Sequence, residues 1–234
     1  MANDYFKFKR FTIRQSRCGM KVGTDGTLLG AWAHGGSTIL DVGTGTGLIA
    51  LMMAQRFPSA SVTGIDIDEA ACMQARENVE DSPFSVSILH RNVLDMKGIF
   101  DAVVSNPPYF NHSLESPDSQ RTMARHTSSL SYRQLMESAW RLLDEHGEFS
   151  VVIPTEGKKE MESAAALTGF FKVRECAVKT TPSKMPRRYL MAFRKHPVEQ
   201  PEVEEGIIEV CPQKRSEWYQ RLTKDFYLDE GEFS

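Results

Sequence analysis

The chain has 234 residues, of which 41% are hydrophobic and 25% charged, with a formal net charge of -3. This is enough for one large α/β domain and too little for two full ones. The slight acidity speaks against indiscriminate nucleic-acid binding and leaves any such contact to local patches. Cys18, Cys72, Cys176 and Cys211 lie far apart with no Cys-x-x-Cys pair, so they read as reduced thiols, and no metal site is expected. The opening residues, with Asn3, Asp4 and Lys7, do not form a signal peptide, and no apolar stretch approaches the roughly 18 residues of a membrane span. A cytoplasmic protein is expected.

Residues 1–21 carry Lys7, Lys9, Arg10, Arg14, Arg17 and Lys21 against the single acid Asp4, interleaved with Phe6, Phe8, Phe11 and Ile13. Two readings are open: an arm that meets a phosphate backbone, or core phenylalanines with cations on a wetted face. Residues 38–42 form an apolar run typical of a buried strand, and 48–57 a helix stopped by Pro58. A second strand at 61–65, a second helix at 69–79 and a third strand at 84–89 follow. Residues 100–105 form a fourth strand, a polar stretch fills 110–129, and a helix over 131–143 leads to a fifth strand at 149–153. Strands alternating with helices at this spacing make a parallel sheet covered on both faces. The rhythm then breaks: 171–178 and 188–194 are strand-like, and the residues between them leave no room for a helix, so they should pair antiparallel. The proline and glutamate run over 197–205 and the acids Glu199, Glu202, Glu204, Glu205 and Glu209 suit a solvated loop.

A parallel sheet that ends in an antiparallel hairpin resembles class I methyltransferases. The resemblance implies a Rossmann-like, mostly parallel seven-stranded sheet with helices on both faces. A single methyltransferase domain over 1–234 is expected, with 1–30 a basic aromatic arm and cofactor-bordering segment and 197–234 a carboxy-terminal extension.

Gly43, Gly45 and Gly47 lie where the first parallel strand gives way to its helix, the place where open α/β sheets bind ligands. A nicotinamide fingerprint would need glycine at position 48, which is Leu48, and no Gly-Lys-Ser/Thr follows for a phosphate loop. The remaining pattern, Asp-x-Gly-x-Gly-x-Gly from Asp41, is similar to the S-adenosylmethionine loop; a glycine turn used only for packing is the plainer alternative. Asp66, about 25 residues after Asp41, ends the second strand where a carboxylate can accept both ribose hydroxyls, with Asp68 as rival or as helix cap. After the third strand, Asn92 or Asp95 is placed to meet the adenine edge of such a cofactor. Asp41 is expected to orient the glycine loop and to reach the cationic methionine end.

Asn106-Pro107-Pro108-Tyr109 follows the fourth strand. An aromatic amino group is a poor nucleophile because its lone pair is conjugated. Two acceptors, the Asn106 side-chain oxygen and the Pro107 carbonyl, can hold its hydrogens and fix the attack angle, while Tyr109 stacks on the ring. The same four residues occur in families that methylate adenine, guanine or a glutamine side chain, so they fix the reaction and leave the substrate open.

Phe8-Lys9-Arg10-Phe11, the segment from Met20 through Thr24-Asp25 to Trp32, Ala124-Arg125-His126, Pro186-Arg187 and Lys224-Asp225-Phe226-Tyr227-Leu228 together resemble bacterial methyltransferases that modify adenine 37 of valine tRNA. The likeness implies tRNA as partner and Thr24 and Asp25 near the methionine end of S-adenosylmethionine, unless they merely cap a helix. RNA contacts are expected from Lys7, Lys9, Arg10 and Arg14, from Arg125 in a lid over 110–129, and from Lys184, Arg187 and Arg188 at the hairpin tip. A protein glutamine methyltransferase is the competing reading.

Overall fold

The computed structural model describes residues 4–16, 22–108 and 130–228. Arg17, Cys18, Lys21, Tyr109, Arg125, His126 and the expected lid over 110–129 lie outside the described residues. In chain order the elements are β1 (Tyr5–Lys7), β2 (Thr12–Arg14), α1 (Thr24–Trp32), β3 (Thr38–Val42), α2 (Leu48–Arg56), β4 (Ser61–Asp66), α3 (Glu69–Glu80), β5 (Val86–His90) and β6 (Phe100–Ser105). There follow α4 (Tyr132–Leu142), β7 (Leu143–Pro154), α5 (Lys158–Thr168), β8 (Phe171–Lys179), β9 (Arg188–Arg194), β10 (Glu202–Ile207), the short pair β11 (Glu209–Cys211) and β12 (Lys214–Arg215), and α6 (Glu217–Thr223).

Among the described residues eight strands make the main sheet, in the order β10-β8-β9-β7-β6-β3-β4-β5. β3, β4, β5, β6 and β7 run parallel, and β9 is antiparallel to both β7 and β8. The class I arrangement is therefore present, with one correction. The sheet has eight strands rather than seven, because residues 202–207, expected as a solvated acidic loop, add to it as β10, parallel to β8. Glu202 to Glu205 are exposed and show no apolar alternation, so their pattern hides the strand. Cations on the neighbouring strand hold it instead: Glu202 pairs with Arg174 at 3.4 Å and Glu205 with Lys179 at 2.7 Å, while Glu204 accepts from the Trp32 indole at 2.8 Å.

Alternating side chains divide the core between the two faces. On one face Leu40, Val103, Phe149, Val151 and Phe193 pack against Leu135, Met136 and Leu142 of α4 and Met161 of α5. On the other, Ile39, Ala102, Val104, Val152 and Leu190 meet α1 and α2 through Leu28, Leu29, Ile49 and Met53. α1 lies close on α2 because Gly30 has no side chain: a Cβ there would stand 2.7 Å from the Met52 sulfur. α4 begins with a reciprocal capping box between Ser131 and Gln134.

The amino-terminal arm resolves the two readings of its aromatics. Phe8, Phe11 and Ile13 are buried with Leu51, Met52 and Phe226, each contributing about 1.5–3 kcal/mol of burial. Lys7, Lys9, Arg10 and Arg14 remain exposed. The β1–β2 hairpin is tied down by Asn78, which bonds the backbone N–H and carbonyl of Arg14, both at 2.9 Å.

Towards the amino ends of the parallel strands, Glu148 on β7 is 4% exposed. It accepts from Arg174 at 2.9 Å and from Arg194 at 2.9 and 3.1 Å, and His34 lies at 3.3 Å. Burial opposes its ionisation, but His34, Arg174 and Arg194 outweigh it and hold the carboxyl at about 2. Among the described residues no helix is long and apolar enough to cross a membrane.

Candidate active site at the carboxyl edge of the sheet

The parallel register brings the carboxyl ends of β3, β4, β5, β6 and β7 to one edge. After β3 the chain turns through Gly43, Gly45 and Gly47, all left-handed, with φ of 73°, 55° and 84°. That conformation strains any residue with a Cβ. Nothing lies within 4 Å of where a Cβ would stand at Gly43 or Gly45, so the backbone there faces open space. The Ile65 carbonyl accepts from Gly43 and Thr44, both at 2.9 Å, and pins the loop to β4.

Asp66 closes this arrangement. One carboxylate oxygen accepts from the Gly45 N–H at 2.9 Å and the other from the Asp68 N–H at 2.9 Å, which leaves Asp66 half-buried beside the loop. Asp68, the rival, is the N-cap of α3 and accepts from Ala70 and Ala71. Asp41 lies behind the loop, fully buried. One of its oxygens accepts from the Thr44 hydroxyl at 2.7 Å and the Ala50 N–H at 3.2 Å, and the other is buried without a partner. Burial pushes its carboxyl up to about 7, with the charge of Asp66 adding and the two hydrogen bonds opposing. Asp41 thus bonds the loop and the first turn of α2 from a position with no open surface of its own to offer the methionine end of a cofactor.

β6 delivers Asn106. Val42 and Ser105 are register partners, and the Ser105 hydroxyl donates to the Val42 carbonyl at 2.9 Å, so Gly43 and Asn106 leave the sheet side by side. Asn106 is half-buried, Pro107 buried and Pro108 exposed. Beyond β5, Asn92 is exposed and its side-chain oxygen accepts from the Leu94 N–H at 3.0 Å. Asp95 lies exposed in the same turn.

Thr24 and Asp25 are the first two residues of α1, and neither is its cap: the N-cap is Gly23, with no side-chain bond. Asp25 forms an ion pair with Arg188, and both side chains are largely buried. Arg188 therefore supports the amino end of α1, and a phosphate at its expected RNA contact would compete with Asp25 for it. Lys184 and Arg187 are exposed at the β8–β9 tip, which the Pro154–Arg188 register places at this same carboxyl edge. Arg14 pairs with Asp81 at 3.1 Å. Lys9 and Arg10 lie elsewhere, beside Gln55, Arg56 and Phe57 at the far end of α2.

Two residues escaped the sequence reading. Ile67, 54% exposed, directly follows Asp66, and Leu94, 45% exposed, lies two residues past Asn92. The available signal was an apolar residue beside a polar one just past a strand end, with no place in the core pattern. Among the described residues no group of three His, Cys, Asp or Glu side chains is arranged to hold a metal ion.

The Methyltransferase small domain family matches residues 26–184. A tRNA1(Val) (adenine(37)-N6)-methyltransferase from Bacteroides thetaiotaomicron is 45% identical over 97% of this chain and 99% of its own length. One of the same name from Phocaeicola vulgatus is 46% identical over 98% of this chain and 100% of its own. The chain belongs to this methyltransferase family. A relative from Histophilus somni bearing that name is 37% identical over 96% of this chain and 97% of its own. Solved structures share the fold. A predicted O-methyltransferase from Agrobacterium tumefaciens aligns with TM-score 0.69 at 17% identity, covering 86% of this chain and 96% of that one. A methyltransferase from Pyrococcus furiosus aligns with TM-score 0.55 at 22% identity, covering 73% and 80%. Family and fold together imply S-adenosylmethionine as methyl donor.

Proposed function

We propose that this chain transfers the methyl group of S-adenosylmethionine to the N6 amino group of an adenosine in tRNA, at position 37 of valine tRNA. The observation that carries the reading is the Val42–Ser105 register, which sets Gly43 of the glycine loop beside Asn106 on one edge. Nearly full-length relatives named for this reaction support the substrate.

The residues present fit that donor. Backbone at Gly43 and Gly45 is open to close approach, and the Asp66 carboxylate beside it would hold the ribose hydroxyls. Asn92 would meet the adenine edge, with exposed Ile67 and Leu94 supplying apolar surface for its faces. Thr24 and Asp25 would border the methionine end, and Asp41 sets the loop from behind. When bound, S-adenosylmethionine supplies a methyl group activated by its sulfonium charge.

Asn106 and Pro107 prepare the acceptor. Their two oxygens accept hydrogen bonds from both N–H groups of the amino nitrogen, draw its lone pair out of conjugation and stabilise the positive charge that builds on nitrogen until one proton leaves to water. Pro107 and Pro108 restrict the backbone that carries those oxygens. Tyr109 provides the stacking face, and an unpaired anticodon-loop base can reach it without melting a helix. Lys184 and Arg187 hold phosphates at the same edge.

The test is transfer of labelled methyl to a panel of unmodified tRNAs, followed by nucleoside digestion, with a release-factor peptide as control. N6-methyladenosine in one tRNA is expected. Asn106→Ala should bind cofactor normally and turn over about 10²- to 10³-fold more slowly. Label in the peptide, or normal turnover by the variant, overturns the reading.

A further inference from the structure

Many cations of this protein are paired with carboxylates. Arg14 is bound to Asp81, Lys158 and Lys172 to Glu175, Lys179 to Glu205, and Arg174 and Arg194 to Glu148. Arg10, Arg221 and Lys224 are exposed and make no ion pair within 4.0 Å among the described residues. All three border two adjoining depressions at the amino edge of the sheet. A groove of about 630 Å³ is lined by Lys9, Arg10, Arg56, Phe57, Lys224 and Asp225. It shares Arg56 and Asp225 with an adjoining hollow of about 330 Å³ that reaches Trp218 and Arg221.

The groove is pre-organised. Arg56 donates to the carbonyls of Gly30 at 2.9 Å and Ala33 at 2.7 Å, and its guanidinium lies 5.0 Å from the Phe57 ring centre. The Lys9 ammonium donates to the Lys224 carbonyl at 3.0 Å, and Arg10 lies over Phe84 at 4.9 Å. Cations held in this way lose little side-chain entropy on meeting an anion. Among the described lining residues five cations face two acids, Asp225 and Glu204, and Glu204 is engaged by the Trp32 indole.

We propose that this groove is a second contact for the phosphodiester backbone of the tRNA, on the opposite edge of the sheet from the site of methyl transfer. The inference rests on the reading of the chain as a tRNA methyltransferase. α2 separates the two edges, and its nine residues rise about 13 Å. A free nucleotide or a peptide side chain cannot touch both, whereas an RNA that offers one base to Asn106 and continues as a stem can. The contact reads charge and shape, not sequence: phosphates position the substrate and the pocket at Asn106 chooses the base.

The test is a steady-state comparison of the unsubstituted protein with an Arg221→Glu/Lys224→Glu double variant on unmodified valine tRNA over a series of salt concentrations, with labelled S-adenosylmethionine binding measured alongside. KM for tRNA should rise about tenfold at 0.15 M salt, and the slope of log affinity against log salt should fall by roughly 1 to 2, one lost phosphate contact per cation. Cofactor affinity should not move, which shows that the fold is intact. If charge reversal prevents folding, Arg10→Gln/Lys224→Gln should give the same signs with a smaller rise. Unchanged KM and salt slope with normal methylation of tRNA overturns the second contact and leaves the proposed function standing. Absence of methyl transfer to tRNA by the unmodified protein overturns the proposed function itself.

Discussion

At the amino edge Glu148 is buried with Arg174, Arg194 and His34 around both its oxygens, whereas at the carboxyl edge Asp41 is buried with one oxygen unpartnered. The same sheet carries both, and the same burial acts on both. Partners pull the first carboxyl down to about 2, and their scarcity leaves the second up at about 7. The Glu148 cluster is arranged for stability; the carboxyl edge keeps polar atoms, left-handed glycines and exposed apolar side chains that a purely structural sheet end has no use for.

The largest break in this comparison should come from Glu148→Gln, which strands two guanidinium groups. A loss of roughly 3 kcal/mol is expected at neutral pH in urea or thermal melts. The folded carboxyl titrates below its ordinary 4.5, so its stabilisation is complete above about pH 4.5 and disappears as pH falls towards 2. The penalty of the substitution should shrink over that window, and a penalty independent of pH would show that charge is not what Glu148 supplies. Methyl transfer per folded molecule should be unaffected.

Asp66→Ala should act on the other edge, weakening S-adenosylmethionine binding about tenfold or more while the melting temperature changes little, because Asp66 is half-buried and ties only two loop N–H groups. Equilibrium dialysis with labelled cofactor decides it, and undiminished affinity would move the ribose site away from β4.

The smallest effect should come from Asp41→Asn, with the opposite sign to Glu148→Gln. The Asp41 carboxyl is raised from 3.8 to about 7 in the fold, so burying its charge costs stability above about pH 7, and the cost is relieved as pH falls towards 4. Asparagine removes the titration, so the variant should gain about 1 kcal/mol at pH 8 after weakening of the Thr44 and Ala50 bonds, and gain nothing near pH 4. Melts at the two pH values test it, and a stability difference that does not change with pH would refute the raised carboxyl.

The carboxyl edge was largely legible in the sequence because its signals are local. The apolar runs of β3 and β6, the three glycines and Asn106-Pro107 each declare themselves within a few residues, and parallel pairing then assembles them. What escaped depends on distant partners. β10 is a strand because Arg174 and Lys179 neutralise its glutamates, and nothing in residues 202–207 says so. Nothing around Arg188 in the sequence announces its ion pair with Asp25, more than a hundred residues earlier. The arm phenylalanines read equally as interface or core, and only Phe226 and Leu51 settle them as core. α5 was missed because 158–168, with its run of alanines and charges, has a narrow apolar stripe around Met161 and Ala165.

The packing of Phe8, Phe11 and Ile13 against Phe226, with the Lys9 N–H bonded to the Phe226 carbonyl at 2.8 Å, has a consequence for biosynthesis. A nascent chain can assemble β3, β4 and their helices while still being translated, but the seat of the arm is complete only after residue 226 has left the ribosome. Until then the side of these residues that Phe226 covers stays open to water, although Leu51, Met52 and Asn78 are already in place, and this is the interval in which a chaperone would have most to protect.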